Sequence, residues 1–234
     1  DMLKKKMFDA VITTGGSIDH DLIKSFSHYD LGSFQMDDVS LHKKGINRLG
    51  NILVDNKNYI ALEKRLQPLF SKINKKKHVV SGSELIKEIS STIKDENSFL
   101  HQCQKNNIPV FSPGLIDSAI GLQLFFFKQD HKEFILDETG DMLQLANLIL
   151  TSKRTGALIL GGGISKHYTI ASNLLRGGLD YSVYLTTASA YDGSLSGAHP
   201  TEAKSWGKIK EKGKTAVVYG DATILLPLLY SKIC

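Results

Sequence analysis

The sequence predicts an α/β protein, and three observations carry the prediction. Short runs rich in β-branched residues alternate with helical periodicity, each run ends abruptly in small or acidic residues, and 41% of the 234 residues are hydrophobic, enough to bury a sizeable core unaided. Phe8 to Thr14 reads as a buried strand ending in Gly15-Gly16, with a helix over Asp19 to Phe26. Helices follow near Tyr59 to Ile73, Ser83 to Ile93 and Asn97 to Asn106, linked by the basic loop Lys75-Lys76-Lys77. Pro109 to Ser112 is the second strand, closed by Pro113-Gly114 and followed by a helix over Asp117 to Phe127. Gly156 to Leu160 ends in Gly161-Gly162-Gly163, with a helix from about Lys166 to Arg176. Tyr181 to Leu185 runs into Thr186-Thr187-Ala188, and Thr215 to Tyr219 into Gly220-Asp221-Ala222 before a terminal helix. No repeat, low-complexity tract or linker interrupts the chain. The expectation is one domain over residues 1–234, a Rossmann-like three-layer fold with a mostly parallel sheet and helices on both faces.

Composition narrows the function. Lys and Arg number 29 against 24 Asp and Glu, a formal charge of +5 that does not demand nucleic acid, and no aromatic residues interleave with the Lys-rich stretches. Two cysteines are too few for a disulfide framework and wrongly spaced for zinc, which fits a reducing, cytoplasmic setting. The N-terminal apolar stretch ends at Thr13-Thr14-Gly15-Gly16, leaving neither a signal-peptide core nor a cleavage site, and Leu124 to Phe127 falls far short of the ~20 residues of a spanning helix. No HExxH, CxxC or paired Asp-x-Asp cluster suggests a metal site. Neither a membrane nor a nucleic-acid partner is expected.

In an open parallel sheet, ligands bind outside the carboxyl ends of the strands, where glycines admit a ligand to the backbone and helix N-termini offer N–H groups. Gly161-Gly162-Gly163 lacks the spacing of the dinucleotide fingerprint, and a tight strand-to-helix turn explains it equally well. Its position strengthens the case, because Thr14-Gly15-Gly16, Thr187-Ala188 and Asp221-Ala222 occupy equivalent ends. Backbone amides there suit phosphates and Asp carboxylates suit ribose hydroxyls, so a nucleotide-type ligand is expected.

The most unusual segment, Tyr191 to Lys208, gathers small polar residues and the sole tryptophan between two strands. An indole two residues from an amine, with Glu202 nearby, could desolvate Lys208, as an imine-forming lysine requires; the plainer reading makes Trp206 core or lid and Lys208 surface. His167 opens a helix, whose positive end disfavours an imidazolium, so a neutral ring could act as base or hydrogen-bond partner; a capping or surface role is the alternative.

Ser205-Trp206-Gly207-Lys208-Ile209, preceded by Ser196-Gly197-Ala198-x-Pro200-x-Glu202-Ala203, resembles the active-site segment of the deoxyhypusine synthase family. Gly45 to Asn51, Ile108 to Pro113, Leu160 to Gly163 with Lys166-His167, and Tyr219 to Ala222 resemble that family in its order, over about residues 7–230. The resemblance implies an NAD-dependent aminobutyltransferase. Such an enzyme oxidises spermidine, carries its aminobutyl group as a lysine imine to one lysine of the initiation factor 5A precursor, and reduces the imine with the same NADH. Lys208 would form the imine, His167 would assist the dehydrogenation, Trp206 would wall the amine tunnel and Glu202 would anchor a cationic amine. Gly193, Ser194, Ser196, Gly197 and Ala198, with Asp19 and His20, also fall to the amine. The cofactor positions carried over are Thr14, Gly15, Gly16, Asp117, Gly162, Thr187, Ala188, Asp192, Asp221 and Ala222, with Ser194 and Ser196 shared. A tetramer, homomeric or heteromeric, is implied as well.

Departures from the pattern matter. Leu122 and Leu195 stand where the family usually carries carboxylates, and Asp19-His20 replaces a Glu-Glu pair. Charge-assisted contacts to an ammonium contribute roughly 1.5 to 3 kcal/mol each, so the grip on spermidine is thinned while the imine machinery is kept. The chain also begins just before the first matching strand. The family's earlier region, with a Thr-Ser-Asn stretch at NAD, is therefore expected either to be missing from a fragment or to be supplied by another polypeptide. A homospermidine-synthase-like transferase acting on a small amine, and a non-catalytic regulatory subunit of a heteromeric enzyme, are the rival readings.

Overall fold

The computed structural model describes residues 1–233, which divide into two compact units, Leu3–Asp137 and Glu138 onward. The first unit runs β1 (Val11–Ile12), α1 (Gly15–Lys24), β2 (Asp30–Leu31), α2 (Asp38–Lys43), β3 (Ile46–Leu49), β4 (Ile52–Asp55), α3 (Asn56–Asn74), β5 (Val79–Ser81), α4 (Gly82–Ser90), α5 (Phe99–Asn106), β6 (Val110–Phe111), α6 (Ala119–Asp130) and β7 (Ile135–Asp137). β1 pairs with β6 and β5 with β7, both parallel, while β2, β4 and β3 form an antiparallel sheet with β4 in the middle.

Helical spacing decides what this unit buries. Leu62, Leu66, Phe70 and Ile73 line one stripe of α3, and Leu85, Ile86 and Ile89 one stripe of α4; with Ile18, Leu22 and Ile23 of α1 they form one apolar cluster. Phe70, Phe127 and Phe134 meet within it at centroid distances of 5.4 to 6.5 Å. α4 starts at a reciprocal capping box between Ser81 and Glu84, which satisfies two otherwise orphaned N–H groups.

The second unit runs α7 (Glu138–Thr151), β8 (Gly156–Leu160), α8 (Ile164–Ser172), a 3₁₀ turn over Asn173–Arg176, β9 (Leu179–Thr186), α9 (Pro200–Ser205), β10 (Ile209–Tyr219) and α10 (Ala222–Ile233). β9 lies between β10 and β8, all parallel, with one register shift of β10 between Ile209 and Lys214. Ile159, Ile170, Leu179, Tyr184, Ala203 and Ile209 form its core.

The α/β alternation and the parallel pairing hold. The five expected strands form two hydrogen-bonded sheets, β1 with β6 in one unit and β8, β9 and β10 in the other. The strand expected over Phe8 to Thr14 shrinks to Val11–Ile12, because its ladder partner β6 is itself two residues long. The antiparallel sheet, the β5–β7 pair and helix α7 were not foreseen. Gly45 to Asn51 turns out to hold β3 and the tight turn into β4, with Gly50 at φ +62°. Among the described residues no helix is long and apolar enough to cross a membrane.

Candidate active site

In the second unit, the chain leaves β8 through two glycines at positive φ, Gly161 at +75° and Gly163 at +84°, conformations that L side chains rarely adopt. Gly162 between them is needed for a different reason, because a Cβ there would overlap the Cα of Ser196. α8 then presents Lys166 and His167 about 100° apart around its axis, so Lys166 turns inward with Ile170 one turn on, while His167 is exposed. After β9, Ser194 closes a turn by accepting from the N–H groups of Gly197 and Ala198, each at 3.2 Å. His199 caps α9, its Nδ1 accepting from Thr201 N at 3.3 Å, with Pro200 in the first turn. The helix ends at Trp206, Gly207 turns at φ +71°, and Lys208 leads into β10.

These segments enclose a cavity of about 320 Å³. Lys208 Nζ lies 3.3 Å from His167 Nε2 and 5.1 Å from the centroid of the Trp206 ring. Trp206 is 66% exposed, so the indole covers only one side of the half-buried Lys208. Glu202, from the first turn of α9, supplies a carboxylate to the lining.

The strongly desolvated lysine is Lys166, 3% exposed. It donates to the carbonyls of Leu195 (2.9 Å), Ser196 (3.4 Å) and Ala198 (2.9 Å), and its Nζ sits 4.3 Å from the centroid of the Tyr184 ring. Burial lowers its pKa from the ordinary lysine value, and the Glu202 charge opposes that shift. Burial likewise pushes the Tyr184 phenol up to about 12.

The structure gathers Lys208, His167, Trp206, Glu202 and Ala198 around this cavity. Ser196 and Gly197 form the loop behind it, Ser196 against Gly162 and Gly197 against the Ser189 carbonyl. Asp192, Gly193 and Ser194 are exposed just before that loop, with Gly193 at φ +66°. Thr187 and Ala188 follow β9, and Ala188 N donates to Thr186 Oγ1 at 3.0 Å. Asp221 follows β10, and its Oδ1 accepts from Thr223 N at 2.7 Å and from the Thr223 hydroxyl, which lowers its pKa; Ala222 starts α10.

The remaining predicted positions lie in the first unit. Thr14 caps α1, accepting from Ser17 N at 3.4 Å, and Gly15 lets the helix start against Ser118. A Cβ at Gly16 would meet open space, and Asp117 is exposed before α6. Asp19 is 5% exposed, and its two oxygens accept from Ala119 N (2.6 Å) and Ile120 N (3.0 Å), capping α6. Burial raises its pKa despite these bonds. His20 Nδ1 is paired with the Tyr29 hydroxyl at 2.7 Å.

Sequence reasoning passed over Lys166, Tyr184 and His199 as lining residues. The i, i+4 relation of Lys166 to Ile170 would have turned this lysine toward the core. Among the described residues no cluster of three or more His, Cys, Asp or Glu is placed to hold a metal ion.

The chain is similar to known proteins over nearly its whole length. A family model described as "Deoxyhypusine synthase" matches residues 1–233. A protein of Thermoplasma volcanium named "Probable deoxyhypusine synthase" is 44% identical over 230 residues, 98% of this chain and 74% of the relative. One of Pyrococcus furiosus with the same name is 40% identical over 97% of this chain and 71% of its own. A crystal structure described as "a putative deoxyhypusine synthase from Entamoeba histolytica" superposes with a TM-score of 0.70 at 22% identity, covering 99% of this chain and 67% of that one. With cavity, motif order and family match in agreement, this chain belongs to the deoxyhypusine synthase family.

Proposed function

We propose that the chain catalyses NAD-dependent transfer of the spermidine aminobutyl group, through an imine on Lys208, to one lysine of the initiation factor 5A precursor. The observation that carries this reading is the Lys208–His167 pair, 3.3 Å apart at the mouth of the cavity. Two lysines line that cavity, and only one suits a nucleophile. All three donors of the Lys166 ammonium meet carbonyl oxygens, whereas Lys208 faces a ring nitrogen that can take its proton. With His167 Nε2 as acceptor, the Lys208 Nζ lone pair attacks the oxidised carbon of the amine; the bond from that carbon to the spermidine secondary nitrogen breaks, 1,3-diaminopropane leaves with the proton, and the aminobutyl group remains as the lysine imine. Glu202 offers the ammonium of that amine a carboxylate, and Trp206 an apolar wall.

NAD, when bound, supplies the hydride acceptor and later the hydride donor. The residues of the second unit fit such a cofactor: α8 begins at Gly163 without a side-chain cap, and a Cβ at Gly161 or Gly163 would meet open space. Gly162 is filled by Ser196, so its part is to shape the turn. Thr14, Gly15, Gly16, Asp117, Thr187, Ala188, Asp192, Asp221 and Ala222 complete the set assigned to NAD. The reading takes residues 1–234 as one Rossmann-like catalytic domain, working in the cytoplasm as a homo- or heterotetramer; a single family match spans residues 1–233.

The test is the intact mass after incubation with NAD and spermidine and borohydride reduction. An aminobutyl increment on the wild type, absent from Lys208→Ala with NAD binding retained, is the expected result; an equal increment on Lys208→Ala refutes the assignment. A second reading, transfer to a small amine, is favoured by Leu195, which gives the cavity wall an apolar side chain. Product analysis separates the two, since only the first yields a modified protein.

A further inference from the structure

We propose that Lys166 is a positioning residue, its ammonium tying down the carbonyls of Leu195, Ser196 and Ala198 and so fixing the loop wall of the cavity that Lys208 also lines. The inference deepens the amine-transfer reading and rests on it for its kinetic arm alone.

An ammonium has three N–H donors, and here each has a carbonyl. The three acceptors fall within four consecutive residues, so a single cation fixes the path of the chain between the end of β9 and α9. The other ties on this loop are weaker. Thr186 Oγ1 donates to Ser196 O at 3.4 Å, Gly162 packs against Ser196 without bonding it, and the N–H groups of Gly197 and Ala198 turn back on Ser194 within the loop itself. Neutral hydrogen bonds are roughly half as strong as those to an ion, so the ammonium dominates this set.

Burying a cation costs free energy, and for Lys166 three carbonyls and the face of Tyr184 offset part of that cost. A lysine used as a nucleophile needs the opposite arrangement, a lone pair free to attack. The neighbouring Lys166 and His167 therefore divide their work: one is held inside and fastens the wall, the other stays outside and meets Lys208. Leu195 and Ala198 both line the cavity, so any slack in their carbonyls changes the space offered to the amine.

The test compares Lys166→Met, which keeps length and loses charge, with Lys166→Arg, which keeps charge. Hydrogen exchange at the Gly197 and Ala198 amides is expected to rise at least tenfold in Lys166→Met and to return within threefold of wild type in Lys166→Arg. The KM for spermidine is expected to rise about tenfold in Lys166→Met with kcat within threefold, because Lys208 and His167 are untouched. Lys166→Gln, which keeps two N–H donors but loses the charge, replaces Lys166→Met if that variant does not fold. Unchanged exchange at these amides overturns the proposal. So does faster exchange spread evenly over β8, β9 and β10, which would mark a general loss of stability. If wild type forms no imine, the functional reading fails while the exchange comparison still decides the tether.

Discussion

Replacing Asp180 with alanine should destabilise the second unit by about 2–4 kcal/mol. Its Oδ2 accepts from Thr155 N at 2.9 Å and Arg176 Nη1 at 2.6 Å, and its Oδ1 from Lys210 Nζ at 2.6 Å. The Arg176 and Asp180 side chains are 13% and 17% exposed, so that bond counts near the full 1.5–3 kcal/mol of a charged hydrogen bond; Lys210, at 36%, is discounted for solvent screening. The Lys210 ammonium, then the Thr155 N–H and the Arg176 guanidinium, hold the Asp180 carboxyl well below its usual 3.8. In that window the unfolded chain binds more protons than the native one. The stabilisation is therefore complete above pH 4 or so and is lost as pH falls toward the depressed native value. Urea unfolding followed by Trp206 fluorescence reads this directly, since the sole tryptophan lies in the same unit. A loss below about 0.5 kcal/mol at pH 7, or a difference between variant and wild type that persists undiminished well below the native carboxyl's range, would refute the reasoning. The network also borders the proposed nucleophile, because Lys210 stands two residues beyond Lys208, where β10 starts against β9.

Two other perturbations act through packing and capping. Gly162→Ala should displace the 194–198 loop, because the new methyl overlaps Ser196; an overpacking cost of about 1–3 kcal/mol in urea unfolding and at least a tenfold fall in trapped imine are expected, and wild-type trapping would argue against the contact. Asp19→Ala should cost about 2–4 kcal/mol in the first unit, since it strands the Ala119 and Ile120 N–H groups at the buried start of α6; circular dichroism during urea unfolding checks this.

The strand ends and the Trp206–Lys208 element were legible because each is local: a β-branched run, then a residue type chosen for its backbone or its side-chain chemistry. The short strands β2 to β5 and β7 were hidden because their pairing, not their composition, defines them; Asp30-Leu31 is a strand only because it finds Leu53 and Ile52. Asp19 shows the limit from the other side. The resemblance assigns its carboxylate to the amine, and the sequence gives no sign that backbone N–H groups 100 residues along the chain engage both oxygens. Lys166 was hidden by its neighbour, since the sequence marks His167 for chemistry and the i, i+4 spacing that sets Lys166 with Ile170 shows only against a known core face.

Every residue lining the cavity comes from one stretch, Lys166 to Lys208, about 40 residues long. The β1–β6 ladder instead joins Val11 to Val110, about 100 residues apart. Loop-closure entropy grows only logarithmically, so the difference is about 0.8 kcal/mol in favour of the shorter loop. The cavity therefore closes over its own sequence neighbourhood at a lower entropic cost than the ladder does.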